Sequence, residues 1–179
     1  MLVKGNTGLV VVDMQGNLVE QVQQSRQLVG KIQMLIKGAQ LLNMPILWLE
    51  QAPTKLGPTV PSIAKLLSDQ QPISKHAFDA CSSAEFLSYV KAANVRSWLV
   101  CGVEAHICVY QTAQSMVKLG YYVEVVTDAV SSRSEDDVVL TLNKCHQQRV
   151  GITGVEMCLY ELLGDCLSEE FKSILKLVK

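Results

Sequence analysis

The chain has 179 residues, 49% of them hydrophobic and 18% charged, so it can bury a substantial core and lacks the composition of a disordered segment. Sixteen Lys and Arg against seventeen Asp and Glu leave a formal net charge of −1, which offers no field to attract nucleic acid or an anionic membrane. The six cysteines form no CxxC pair and the three histidines (His76, His106, His146) are scattered, which speaks against a disulfide framework and against structural zinc.

The run from Leu2 to Val12 is interrupted by Lys4 and Asn6 and stops at Asp13. It is too short for a secretory signal or a membrane span, and the expectation is a cytoplasmic protein. Within it, Thr7 to Val12 is a continuous β-branched run, the pattern of a strand buried on both faces. Ser25 to Leu42 repeats apolar residues at Leu28, Ile32, Leu35, Ile36, Ala39 and Leu42, which predicts an amphipathic helix. Pro45 to Leu49 reads as the next strand. Pro53, Gly57, Pro58 and Pro61 then mark a loop over Gln51 to Pro61.

A short helix is predicted at Ile63 to Leu67, a short strand at Pro72 to Lys75, and a helix at Ser83 to Asn94 capped by Ser82 or Ser83. Ser97 to Cys101 is a strand, His106 to Leu119 a helix closed by Gly120, and Tyr122 to Val126 a strand. Ser134 to Gln148 is a helix, Val150 to Thr153 the last strand, and helices at Val155 to Leu163 and Ser168 to Val178 complete the chain. This alternation predicts an α/β protein, a single three-layer α/β/α domain over residues 1 to 179 with a parallel sheet of about six strands.

One segment carries more chemical information than the rest. Val100-Cys101-Gly102-Val103-Glu104-Ala105-His106-Ile107-Cys108-Val109 reads as a buried strand, a tight turn, and a cysteine at the opening of a helix. N–H groups at a helix start favour a thiolate and can also hold an oxyanion. The plainer reading makes Cys108 a small packed residue.

In open α/β sheets, ligands bind at the carboxyl ends of the strands. The first predicted strand ends at Asp13, the third at Lys75, and the fourth in the turn leading to Cys108. Alone, Asp13 could be a helix cap and Lys75 an exposed loop lysine. An acid, a base and a thiol meeting at one edge point instead to catalysis.

These residues also carry a family resemblance. Val-Val-Asp-Met-Gln at 11 to 15, Ser-Lys-x-x-Phe at 74 to 78 and Gly-Val-Glu-Ala-His-Ile-Cys-Val at 102 to 109 resemble motifs of the isochorismatase-like cysteine hydrolases. That group includes nicotinamidase and N-carbamoylsarcosine amidohydrolase. The resemblance implies a triad of Asp13, Lys75 and Cys108, and a cis peptide between Val103 and Glu104. It also implies an oxyanion hole made by the N–H groups of Glu104 and Cys108, and a homo-oligomer. Gln15, Glu50, Gln51, Phe78 and His106 become candidates for the substrate pocket.

The match has departures. Nicotinamidases carry an Asp-x-His set after the second strand that holds a divalent metal, whereas this chain has Leu49-Glu50-Gln51-Ala52-Pro53. A lone Glu50 cannot build such a site, so no metal and no other cofactor is expected. Leu18 stands where many members carry an aromatic residue. The segment Leu56 to Pro61 resembles a branch known only by its isochorismatase-like domain, whose substrate is unsettled. The resulting expectation is a hydrolase cleaving a small, neutral amide or ureide through a thioester on Cys108. Three other readings remain open: a non-catalytic scaffold, a redox-responsive thiol protein, and vinyl-ether hydrolysis of the isochorismatase type, which does not need the thiol.

Overall fold

The computed structural model describes residues 1 to 179. Strands β1 (Thr7–Val12), β2 (Ile46–Gln51), β3 (Ile73–Lys75), β4 (Ser97–Val103), β5 (Tyr122–Ser131) and β6 (Gly151–Thr153) form one sheet in the order β3-β2-β1-β4-β5-β6. Every neighbouring pair is parallel. The helices are α1 (Gly16–Val19), α2 (Ser25–Leu41), α3 (Pro53–Leu56), α4 (Pro61–Ala64), α5 (Ala84–Ala92), α6 (Tyr110–Lys118), α7 (Glu135–Gln147), α8 (Val155–Leu163) and α9 (Phe171–Val178).

Alternation of side chains explains the unbroken apolar strands. Leu9 and Val11 of β1 pack on one face with Leu28, Ile32 and Leu35 of α2, Leu159 of α8 and Ile174 of α9. Val10 and Val12 pack on the other with Phe86 and Val90 of α5, Ala113 and Met116 of α6, and Cys145 of α7. A central strand of this kind has no wet face, so neither set of side chains can be polar. The sheet is therefore flanked by helices on both sides, as the alternation of strand and helix patterns predicts.

Several boundaries move, and the shifts matter for the site. β2 runs two residues past Leu49, because Glu50 and Gln51 pair in register with Ser74 and Lys75 of β3. The predicted loop from Gln51 to Pro61 contains α3, started by Pro53 at a position where a missing N–H costs nothing. The short helix predicted at Ile63 begins earlier, at Pro61, and ends as a 3-10 turn over Lys65–Leu67. β5 extends to Ser131 after its register with β4 shifts between Val100 and Gly102. Helix α1, four residues long, has too little sequence to show a period. Of the two cap candidates for α5, the structure uses Ser83, whose hydroxyl accepts from the Phe86 N–H at 3.4 Å.

The helix expected to start at His106 begins instead as a π-helical turn over Ala105–Val109 and becomes α-helical at Tyr110. The Glu104 carbonyl accepts from both Ile107 N (3.1 Å) and Val109 N (3.3 Å). Cys108 thus sits inside the wide turn and not at its first residue. π turns of this sort are frequent at functional sites.

Candidate active site

The strand order reverses between β1 and β4, the place where doubly wound sheets open a crevice. Asp13 follows β1 and the turn bearing Cys108 follows β4, one on each side of that crevice. Gly102 brings the two together. Its φ is +117°, and a Cβ there would lie 2.0 Å from the Val12 carbonyl oxygen, so only glycine fits at this crossing. Asp13 itself has φ 50°, a left-handed conformation uncommon for a residue with a side chain. Its N–H still bonds the Leu49 carbonyl at 3.2 Å, and the left-handed turn redirects the chain at the strand end.

Lys75 lies two strands away on β3, about 10 Å at ordinary strand spacing, and its long side chain crosses the end of β2 to reach Asp13. The Nζ donates to Asp13 Oδ2 at 2.7 Å and to Gln51 Oε1 at 2.6 Å. Neither partner is open to water: side-chain exposure is 1% for Lys75 and 0% for Asp13. A buried ion pair of this kind is costly wherever one of its remaining polar atoms is left unsatisfied. Here one is. Asp13 Oδ1 is buried with no hydrogen-bond partner, an acceptor left open inside the site.

The Cys108 thiol stands against both Asp13 and Lys75, close enough to feel each of them. Burial pushes the thiol up to about 12, the Asp13 carboxylate pushes the same way, and Lys75 only partly opposes them. Burial also lifts the Asp13 carboxyl above its ordinary range, more than Lys75 lowers it. The helix start, expected to favour a thiolate, is opposed here by burial and by Asp13. Loss of hydration is the largest influence on the thiol, and the positive charge of Lys75 is already engaged by Asp13. Both burial and the neighbouring Asp13 favour the protonated thiol.

The Val103–Glu104 peptide bond is cis. The Glu104 N–H donates to no acceptor in the protein, while the Glu104 side chain accepts from Arg133 Nε at 2.8 Å. His106 hydrogen-bonds Ser132 Oγ through Nδ1 at 2.9 Å, and its Nε2 lies 3.9 Å from Asp137 Oδ2. Phe78 is 55% exposed, an apolar ring left in water three residues after Lys75.

Three of the pocket candidates are occupied with holding the frame. Gln15 Nε2 donates to the Gln51 and Gly57 carbonyls at 3.0 and 2.6 Å, and its Oε1 accepts from Gln51 N at 2.7 Å. These bonds clamp the segment after β1 to β2 and to Gly57 at the end of α3. Glu50 Oε1 accepts from both the N–H and the hydroxyl of Thr59, at 2.7 Å each, so it fixes the same segment. Gln51 orients Lys75 and donates to the His76 carbonyl at 2.6 Å. Of the three, Gln51 was expected in a loop; the structure places Glu50 and Gln51 at the end of β2 and Gln15 just before α1, and all three side chains turn inward. Gly102 was visible as a strand-end glycine, but its contact with Val12 was not.

A model of the Isochorismatase domain matches residues 7–157. The chain belongs to the isochorismatase family. It is 35% identical over 175 residues to isochorismatase domain-containing protein 2 of Bos taurus, covering 98% of this chain and 84% of that protein. Among isochorismatase-fold structures, that of MAR1 ribonuclease from Caenorhabditis elegans is 31% identical, with a TM-score of 0.93, and covers 99% of this chain and 91% of its own. The YcaC gene product of Escherichia coli, an octameric hydrolase of unknown specificity, shares the fold at 24% identity. Its TM-score is 0.92, with 98% of this chain and 88% of that one covered. The chain thus has the isochorismatase-family fold, with Asp13, Lys75 and Cys108 at its strand-end crevice.

Proposed function

We propose that this protein hydrolyses a C–N bond of a small, neutral amide or ureide through a thioester on Cys108. The observation that carries this reading is the open Oδ1 of Asp13, a buried base beside a neutral thiol, with Oδ2 tethered by Lys75. Cys108 Sγ attacks the substrate carbonyl carbon as Asp13 takes the thiol proton. The carbonyl oxygen becomes an oxyanion facing the N–H groups of Glu104 and Cys108. Asp13 passes the proton to the departing nitrogen, the C–N bond breaks, and ammonia or an amine leaves. Water, deprotonated by Asp13, then hydrolyses the thioester, and the proton returns to sulfur. Lys75 holds the carboxylate in place throughout.

A small neutral substrate fits because Lys75 is buried and paired with Asp13, and Arg133 is paired with Glu104, so neither cation is left free for a polyanion. No part is given to nucleic acid or membrane; no helix is long and apolar enough to cross a bilayer. A redox sensor needs an accessible thiolate, which a buried thiol at about 12 does not provide. Six unbonded cysteines suit the reducing cytoplasm, and a homo-oligomer is the expected assembly.

The test is ammonia release from a panel of small amides and ureides. Cys108→Ala should lower the rate by about a thousandfold or more while leaving the circular dichroism spectrum unchanged. Wild-type ammonia release by Cys108→Ala would remove the thioester route and leave direct attack of a water activated by Asp13 as the C–N hydrolysis step.

A further inference from the structure

Helix α7 presents a face that the rest of the chain does not cover. Thr141 and Cys145 are buried on its inner side, with Val138 and Leu142 packed against the same core. On its outer side, Asp136, Leu140, Asn143 and Gln147 follow one another at spacings of three and four, one continuous helical stripe flanked by Val139. In the middle of that face Val139 is 52% and Leu140 61% exposed, and Ile152 on the adjoining edge strand β6 is 45% exposed.

The charges on α7 are sorted along its axis. Glu135, Asp136 and Asp137 occupy the first turn, and Lys144 and His146 lie in the last, with Arg149 just beyond. Lys144 is held on this surface with its Nζ 5.0 Å from the centre of the Tyr110 ring. An acidic end, an apolar middle and a basic end make a self-complementary pattern. Laid antiparallel on a second α7, the acidic turn of each meets the basic turn of the other and the apolar middles coincide. A parallel arrangement would stack like charges at both ends.

We propose that α7 is the surface through which two copies of this chain pair, antiparallel about a two-fold axis close to Leu140. Leu140 then meets its own counterpart, and Asp136 lies opposite Lys144 in both directions. Because Asp137 abuts His106 in the turn that holds Cys108, this pairing covers the flank of the proposed active site. The inference rests on the homo-oligomeric reading above and names the surface responsible.

Sedimentation velocity of the full chain over a range of micromolar concentrations tests it. Leu140→Arg, and separately Asp136→Lys or Lys144→Glu, should each raise the dissociation constant of the pair by roughly tenfold or more. The double variant Asp136→Lys with Lys144→Glu should recover most of the loss, because both reversals restore opposite signs across the axis. All three substituted positions lie on the exposed side of α7, and circular dichroism checks that the fold is kept. If the wild-type chain is monomeric throughout, both the homo-oligomer and this surface are wrong. If it associates but none of the variants weakens it, or the double variant fails to recover, the surface is wrong and the oligomer stands.

Discussion

At the level of single residues, Asp13 makes the Cys108 thiol harder to ionise, whereas the thiol pushes the Asp13 carboxyl the other way. The thiol stands at about 12 because it is buried and faces a carboxylate, and this has a measurable consequence. In Asp13→Asn the carboxylate charge disappears and Lys75 loses its ionic partner, so the thiol pKa, followed by thiolate absorbance, should fall below its wild-type value. Hydrolysis should fall at the same time by about 10²- to 10⁴-fold, because the base is gone. Easier ionisation together with slower turnover separates a general base from a group that merely tunes the thiol. The wild-type rate should also have an acid limb above the ordinary aspartate value of 3.8, since burial raises the Asp13 carboxyl and only the deprotonated form accepts the proton. A thiol pKa that rises in Asp13→Asn would contradict this assignment.

At the level of elements, the site depends on how closely β4 can approach β1. At Gly102 an added methyl group would strike the Val12 carbonyl, directly before Asp13, and the backbone is left-handed there. Gly102→Ala should therefore cost about 2 kcal/mol or more in urea unfolding and depress activity further by displacing Asp13. Gly30 is the control. It lies inside α2 with no atom within 4 Å of an added Cβ, so Gly30→Ala should stabilise the protein by about 0.5–1 kcal/mol and leave activity alone. The contrast between these glycines also shows what a sequence carries. Strong local patterns, such as the β-branched run of β1 and the apolar stripe of α2, were legible because each follows from its own residues. The ends of β2 and β5 were not, because their extra residues are held by pairing with distant strands. The π turn was missed for a related reason: both of its bonds to Glu104 close on a turn geometry with no distinct residue signature.

Across the whole molecule, the six strands deliver Asp13, Lys75 and Cys108 to one edge of the sheet from positions as far apart as 95 residues. Their meeting place followed from strand order and from motif spacing. The supporting contacts did not, since Gln15, Glu50 and Gln51 look like pocket polar groups until their carbonyl and hydroxyl partners are known. The strongest claim made for this fold is that the buried Cys108 is its nucleophile. Acylation by p-nitrophenyl acetate, read by peptide mass spectrometry, tests it without knowledge of the natural substrate. The exposed Cys166 serves as an internal reference. The expected result is early acetylation of the Cys108 peptide, slowed in Asp13→Asn, with Cys166 modified later. Acetylation of Cys166 and surface lysines with Cys108 untouched would contradict it.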